Sequence, residues 1–363
     1  MKFLVIAGAR PNFMKVAPIL DAFARRQDGP FEVKLFHTGQ HYDPEMSDRF
    51  FEDLGLRTPD VHLGVGPGSH AEQTARIMTA FEPVCRDEAP DWVVVVGDVD
   101  STLACALTAQ KLGIRVAHVE AGLRSRDRSI PEEINRICTD AISDLLFTTD
   151  ELAGQNIAAE GIAPERIAFV GNTMIDTLRK HIDRAKARPL PAPVSAGSFA
   201  VLTLHRPSNV DSPETLTPLV RTIEQIALEI PIVFPVHPRT RKSLEAFGLL
   251  GVVQSNPGIY LTEPLGYLDF LGLVGRARFV LTDSGGIQEE TTVLGIPCLT
   301  MRNNTERPIT CTVGTNHLVG TDPAKILAVA HAVLRGESKR GTIPPKWDGQ
   351  AADRIVNLLL NSR

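Results

Sequence analysis

Five consecutive apolar residues, Trp92–Val96 (WVVVV), constrain the fold of this 363-residue chain more than any other feature. A strand apolar at every position has no face for water, so it belongs inside a parallel sheet covered by helices on both sides. Its surroundings repeat the theme. Strand-like runs at residues 3–7, 33–38, 115–120 and 145–148 alternate with helical patterns at 15–26, 69–87, 102–112 and 132–143. A Pro/Gly/Ser-rich stretch at 188–198, RPLPAPVSAGS, reads as a connector. The alternation then restarts, with strands at 199–204, 232–235 and 279–282 and helices at 213–229, 267–275, 286–294 and 324–334. An amphipathic helix at 351–360 closes the chain. Two such arrays predict an α/β protein with two parallel sheets, each flanked by helices. Ligands on sheets of this kind bind beyond the carboxyl ends of the strands, so with the two arrays facing each other the expected site is the cleft between them.

Several function classes drop out on charge and composition. With 38 Lys and Arg against 43 Asp and Glu, the net charge of −5 gives no field that would gather nucleic acid, and aromatic residues, at 6%, are too few for base-stacking platforms. The apolar run at the N-terminus is too short for a secretion signal, and none of the later runs is long enough to span a bilayer. The five cysteines (Cys85, Cys105, Cys138, Cys298 and Cys311) are odd in number and contain no CxxC pair, so reduced, packed thiols in a cytoplasmic protein are expected. The glycines show no G-x-G-x-x-G between strand and helix, which argues against a bound dinucleotide cofactor. His118 and Glu120 would share one face of a strand, but no further ligands at a matching spacing accompany them, and no metal is expected.

The polar residues that follow strands are the candidate site. Strand one runs into Gly8-Ala9-Arg10-Pro11 and a helix containing Lys15, whose N-terminus would offer N–H groups to an anion. The WVVVV strand runs into Gly97-Asp98-Val99-Asp100-Ser101; Asp100 or Ser101 would cap the next helix, while Asp98 is too early for that and is the first candidate carboxylate. Glu120, closing the next apolar strand, is the second. Glu132, in the first turn of a helix after Pro131, is the third. All three would fall on the same end of one sheet, where carboxylates shift one another's pKa values and suit acid/base work. In the second array a strand delivers His205-Arg206, a candidate acid or phosphate contact, and Val236-His237-Pro238-Arg239 repeats the pattern more weakly. The strongest local signal is FVLTDSGGIQEE at 279–290. A strand running into Ser284-Gly285-Gly286 and then a helix lets backbone N–H groups approach a diphosphate, with Glu290 one turn on, in reach of a ribose diol. Arg307, in TERP, is a further candidate contact.

GARP with Lys15, GDVDST, HVEAGLRS, PEEINR, LHRPSN, LTDSGGIQEE and MRNNTERP, in this order, make the whole chain resemble the UDP-N-acetylglucosamine 2-epimerase family. The resemblance implies two Rossmann-like domains with parallel sheets facing across a cleft, the GT-B arrangement. The first would span 1–170, with the 348–363 helix packing back on it, and the second 171–347. It places Arg10, Ser284, Gly285, Gly286, Glu290 and Arg307 against the uridine diphosphate and Phe270 near the uracil. Lys15, Asp98, Glu120, Glu132 and His205 would surround the sugar and leaving group. It also implies a homodimer, no cofactor, and C2 inversion through loss and re-addition of UDP. Gln40-His41-Tyr42-Asp43-Pro44 and the 66–69 region depart from members activated by their own substrate, so no such activation is expected. Close alternatives are a hydrolysing 2-epimerase, releasing N-acetylmannosamine and UDP, or an epimerase of a related UDP-2-acetamido sugar. A glycosyltransferase would need an acceptor, and a nucleotide-sugar-binding regulator would show no turnover.

Overall fold

A computed structural model of the chain describes residues 1–27, 29–40, 51–191 and 193–362. The side chain of Arg10 and residues 41–50, which include His41, Tyr42 and Asp43, lie outside the described residues. The chain divides into two units, Met1–Lys180 with Pro345–Arg363, and His181–Pro344.

In the first unit, seven parallel strands form one sheet: β1 (Lys2–Ala7), β2 (Glu32–His37), β3 (Val61–His62), β4 (Trp92–Val96), β5 (Arg115–Ala121), β6 (Leu145–Thr148) and β7 (Ile167–Phe169). Their order is β3-β2-β1-β4-β5-β6-β7. All five residues of β4 are buried, as a strand covered on both faces must be. Phe36, Ile77, Phe81, Val93 and Val95 belong to the core on one face. The last helix, Ala351–Asn361, packs on the helix Arg10–Ala24 of the same unit. Its first turn is fastened by Asp176, whose carboxylate accepts the N–H groups of Ala351 (3.2 Å) and Ala352 (2.7 Å), and Trp347 just before it is buried, donating to the Thr149 carbonyl at 2.9 Å.

The second unit repeats the plan with six parallel strands: β8 (Ala200–Thr203), β9 (Ile232–Pro235), β10 (Ile259–Thr262), β11 (Phe279–Thr282), β12 (Cys298–Thr300) and β13 (Asn316–Leu318), in the order β10-β9-β8-β11-β12-β13. The division between the units falls at Lys180–His181, inside the helix Thr173–Lys186, and not at residue 170 or in the RPLPAPVSAGS stretch. That stretch belongs wholly to the second unit, where Leu190 and Val194 pack against the core of Phe199, Val201 and Val280. Its composition suggests a linker; the packing of Leu190 and Val194, both partly buried, makes it part of a domain.

In both sheets the chain winds outward one way from its first strand and then returns to wind the other way. The reversal lies between β1 and β4 in one sheet and between β8 and β11 in the other. Loops at such a reversal part and leave a crevice at the carboxyl ends of the two strands.

Candidate functional site

At the reversal in the first sheet, Asn12 ties the two loops together. Its side-chain oxygen accepts the N–H groups of Gly8 (2.9 Å) and Ala9 (3.0 Å), and its amide donates to the Val96 carbonyl at 3.2 Å. The Gly8 and Ala9 N–H groups, just ahead of the helix, are therefore already used. Gly8 is small because Ser101 sits against it: a Cβ would come within 2.2 Å of the Ser101 Oγ.

One turn further along the same helix, Lys15 is buried and forms an ion pair with the buried Glu120. Its ammonium also lies against Gly97, where a Cβ would meet Nζ at 2.7 Å and where φ is +69°. The next residue, Asp98, is paired with Arg136, which also holds Glu133 at 2.7 Å. Asn135 donates to the backbone oxygen of Asp98 at 2.9 Å and to the Asp100 carboxylate at 3.1 Å. Lys15, Gly97, Asp98 and Glu120 are thus brought together, and Glu132 lies half-buried in the first turn of the helix, Pro131–Ile142, that carries Asn135 and Arg136.

Three details differ from the sequence reading. Asp100 does not cap its helix: Val99 occupies that position, and the Asp100 carboxylate accepts from Asn135 and from His70 Nδ1 at 2.8 Å. The period-two placement of His118 and Glu120 on one face fails, because the β5–β6 register slips between Val119 and Ala121 and Glu120 takes a φ of +72°. Such a bulge re-aims a side chain. Glu120 meets Lys15, while His118 donates to Asp140 at 2.6 Å and to the Gly97 carbonyl at 2.8 Å, so both its ring nitrogens are committed. Glu133, not Glu132, is the carboxylate wired into the network. It accepts from Ser125 and Arg126 N–H groups and from Arg136, which outweigh burial and hold it below the usual carboxylate range. Its i,i+3 spacing from Arg136 was a readable signal.

At the reversal in the second sheet, His205 follows β8 and donates from Nδ1 to the buried Asp283 at 2.8 Å. Asp283 also accepts the backbone N–H groups of His205 (3.0 Å) and Arg206 (2.9 Å), and the Asn209 amide at 3.2 Å. Burial pushes its carboxyl up, but these partners, His205 first, prevail and keep it low. With Nδ1 fixed, the half-exposed ring has Nε2 left for a ligand. The pattern that singles out Asp98, a carboxylate closing an apolar strand, holds equally for Asp283 after FVLT.

Ser284 precedes the helix Gly285–Leu294, and Ser284, Gly285 and Gly286 are only half-buried. The N–H groups of a first helical turn have no intrahelical acceptor, which makes this a place for an anion. A side chain at 285 would have to displace its neighbours, since a Cβ would meet Arg307 Nη1 at 2.6 Å and Glu306 Oε1 at 2.7 Å. Arg307 is buried, paired with Glu289 at 2.9 Å and with Glu306. Burial favours a neutral Glu306, but Arg307, Arg302 and Arg206 dominate and hold its carboxyl well below the usual range. Glu290 differs. Burial, reinforced by the neighbouring Glu289, pushes its carboxyl up to about 8, and the buried Tyr267 hydroxyl faces it. Phe270 sits half-buried on the helix Tyr267–Val274.

Among the described residues there is no cluster of three His, Cys, Asp or Glu side chains able to hold a metal, and no helix long and apolar enough to cross a membrane.

Comparison with known proteins adds the context. Residues 24–360 match the family model described as UDP-N-acetylglucosamine 2-epimerase. A UDP-N-acetylglucosamine 2-epimerase of Methanococcus maripaludis is 42% identical over 369 residues, covering 100% of this chain and 99% of its own. A UDP-2,3-diacetamido-2,3-dideoxy-D-glucuronate 2-epimerase of Pseudomonas aeruginosa is 41% identical, covering 99% of each chain. The crystal structure of Methanocaldococcus jannaschii UDP-GlcNAc 2-epimerase in complex with UDP-GlcNAc and UDP aligns with a TM-score of 0.91 at 42% identity, over 99% of both chains.

Proposed function

Because the chain belongs to the UDP-N-acetylglucosamine 2-epimerase family, we propose that it interconverts UDP-N-acetylglucosamine and its C2 epimer, UDP-N-acetylmannosamine, without hydrolysis. One observation carries the chemistry: the buried Lys15–Glu120 pair lies against Gly97, beside Asp98, at the strand-order reversal of a parallel sheet.

No carbonyl adjoins C2 of such a sugar, so its proton is not acidic in the ground state. Departure of UDP from C1 makes C1 cation-like and acidifies that proton. The C1–O bond and the C2–H bond break, the C1–C2 double bond of a 2-acetamidoglucal forms, and UDP carries away the electron pair of the C1–O bond. Return of a proton to the other face of C2 and of the UDP oxygen to C1 completes the inversion with no oxidant and no cofactor.

Asp98, Glu120 and Glu132 share the two proton transfers, work that contributes about 10²–10⁴-fold when a side chain is correctly placed. Lys15 holds Glu120 in place beside the sugar. Ser284, Gly285 and Gly286 offer N–H groups to the departing diphosphate, Arg10 and His205 add positive charge or a proton, Glu290 takes the ribose diol, and Arg307 braces the Ser-Gly-Gly turn. Phe270 lies near the uracil. The enzyme works as a cytoplasmic homodimer on this reading, in keeping with its five free cysteines.

Turnover of UDP-N-acetylglucosamine in D₂O, followed by NMR, tests the proposal. Deuterium should appear at C2 of the UDP-sugars; retention of all the original hydrogen there rules out the elimination route, and accumulation of free N-acetylmannosamine indicates hydrolysis. The Pseudomonas relative gives grounds for a second reading, in which the sugar is a UDP-2,3-diacetamido uronate, and the same experiment with that substrate separates the two.

A further inference from the structure

Asp140 is buried on the helix Pro131–Ile142 and takes no part in the chemistry above. Its carboxylate holds three points of the chain in and just after β5. One oxygen accepts from His118 Nδ1 at 2.6 Å; the other accepts the Gly122 N–H at 3.1 Å and is paired with Arg124 Nη1 at 2.7 Å. His118 is fully buried and passes the hold on by donating to the Gly97 carbonyl at 2.8 Å. Arg124 is anchored in turn by Glu160 at 2.6 Å.

Between the two residues that Asp140 grips on this strand stands Glu120, in the left-handed region with φ +72°. A residue other than glycine persists there only where its surroundings over-determine the backbone. Relaxation of Glu120 to extended backbone would restore the alternation of β5 and turn its side chain away from Lys15. Through His118 and the Gly97 carbonyl, the same brace reaches the residue before Asp98.

We propose that Asp140 is a positioning residue for the C2 chemistry: its three-point hold on His118, Gly122 and Arg124 keeps the kink that turns Glu120 toward Lys15, and through His118 it sets the backbone that presents Asp98. The proposal rests on the proton-transfer role given above to Glu120 and Asp98.

The test uses the full chain with Asp140→Asn, Glu120→Gln and the double variant, read by C2 deuterium exchange and by calorimetric UDP binding. Misplacement of a reacting group by about 1 Å can cost about 10²-fold, so Asp140→Asn should lower kcat by about that factor, with KM and UDP affinity within about threefold of the parent. Since Asp140 acts chiefly through Glu120, with Asp98 the second route, the double variant should lose clearly less than the product of the two single losses, whereas independent effects would multiply. Normal kcat in folded Asp140→Asn, a rise in KM alone, or losses that multiply would overturn the proposal. Near-normal turnover of Glu120→Gln would instead remove the underlying assignment of Glu120. Should Asp140→Asn fail to fold, His118→Gln cuts one arm of the brace while Gly122 and Arg124 stay held. The same comparison then applies, with a loss of about tenfold expected from a smaller displacement and an unchanged kcat counting against the brace.

Discussion

The two sheets are wound in the same order, yet their reversal points present different chemistry. In the first unit the segments around the ends of β1, β4 and β5 bring charged side chains into pairs, Lys15 with Glu120 and Arg136 with Glu133 buried, and Arg136 with the partly exposed Asp98. In the second, the loop after β11 brings backbone N–H groups and two glycines to a helix N-terminus, with the charges placed behind it as a brace of Glu289, Glu306 and Arg307. Side chains can gain and lose protons at neutral pH; backbone amides cannot, but they hold an anion without having to reorganise. On the reading proposed above, one topology serves proton transfer in one unit and leaving-group support in the other.

If that division is right, changes in the first unit should damage turnover and changes in the second should damage nucleotide binding. The largest effect is expected from Glu120→Gln, with a fall in kcat of about 10²-fold or more while UDP affinity, measured by calorimetry, stays near the parent value. Loss of UDP affinity by a similar factor would break the comparison. Next comes Lys15→Met, which removes the Lys15 ammonium from the buried Glu120. Breaking a buried pair in this way costs about 3–5 kcal/mol, to be read as a lower midpoint in denaturant with an unchanged slope. A variant as stable as the parent would show that Glu120 takes up a proton or finds water when Lys15 is gone. Smaller again is Gly285→Ala. The added methyl must displace Arg307 and Glu306 from their positions, and UDP should bind about tenfold more weakly, about 1.4 kcal/mol, with kcat at saturation close to normal.

How legible the sequence was follows the same lines. Alternating strands and helices could be read wherever a strand was long and apolar on both faces, as at Trp92–Val96. The shortest strands could not: β3 has two residues and β7, β12 and β13 have three each, too short to carry a period. The boundary between the units was hidden for a different reason, since the helix Thr173–Lys186 runs through it without a break. Residues that end strands were found because the fold itself directs ligands there. Their partners were not. Asp140 sits 22 residues beyond His118, Asp283 lies 78 beyond His205, and Arg136 lies 38 beyond Asp98, separations that only the folded chain closes. The kink at Glu120 was invisible because the alternation rule assumes an unbroken strand.

The smallest expected effect bears on the one carboxylate of the second unit's site that stands apart from the pattern of that brace. Glu306 and Asp283 are held low by their partners, whereas burial and then Glu289 lift Glu290 to about 8. In the free protein at pH 7, Glu290 is therefore mostly neutral, with about a tenth of it ionised. A ribose diol donates two hydrogen bonds, and an ionised carboxylate accepts them best. Binding through the ionised form must first remove the proton at pH 7 and need not at pH 9, so UDP affinity should rise as the pH climbs toward about 8 and level off above it, gaining about fivefold to tenfold in all. The diphosphate itself finishes titrating at lower pH, and Glu290→Gln provides the control, with a flat profile expected between pH 7.5 and 9 by about a factor of two. If the parent is equally flat, Glu290 accepts nothing from the diol and its raised carboxyl reflects only its burial beside Glu289. A rise that survives in Glu290→Gln would transfer the titration to another group and leave the second unit's site as a holder made of backbone alone.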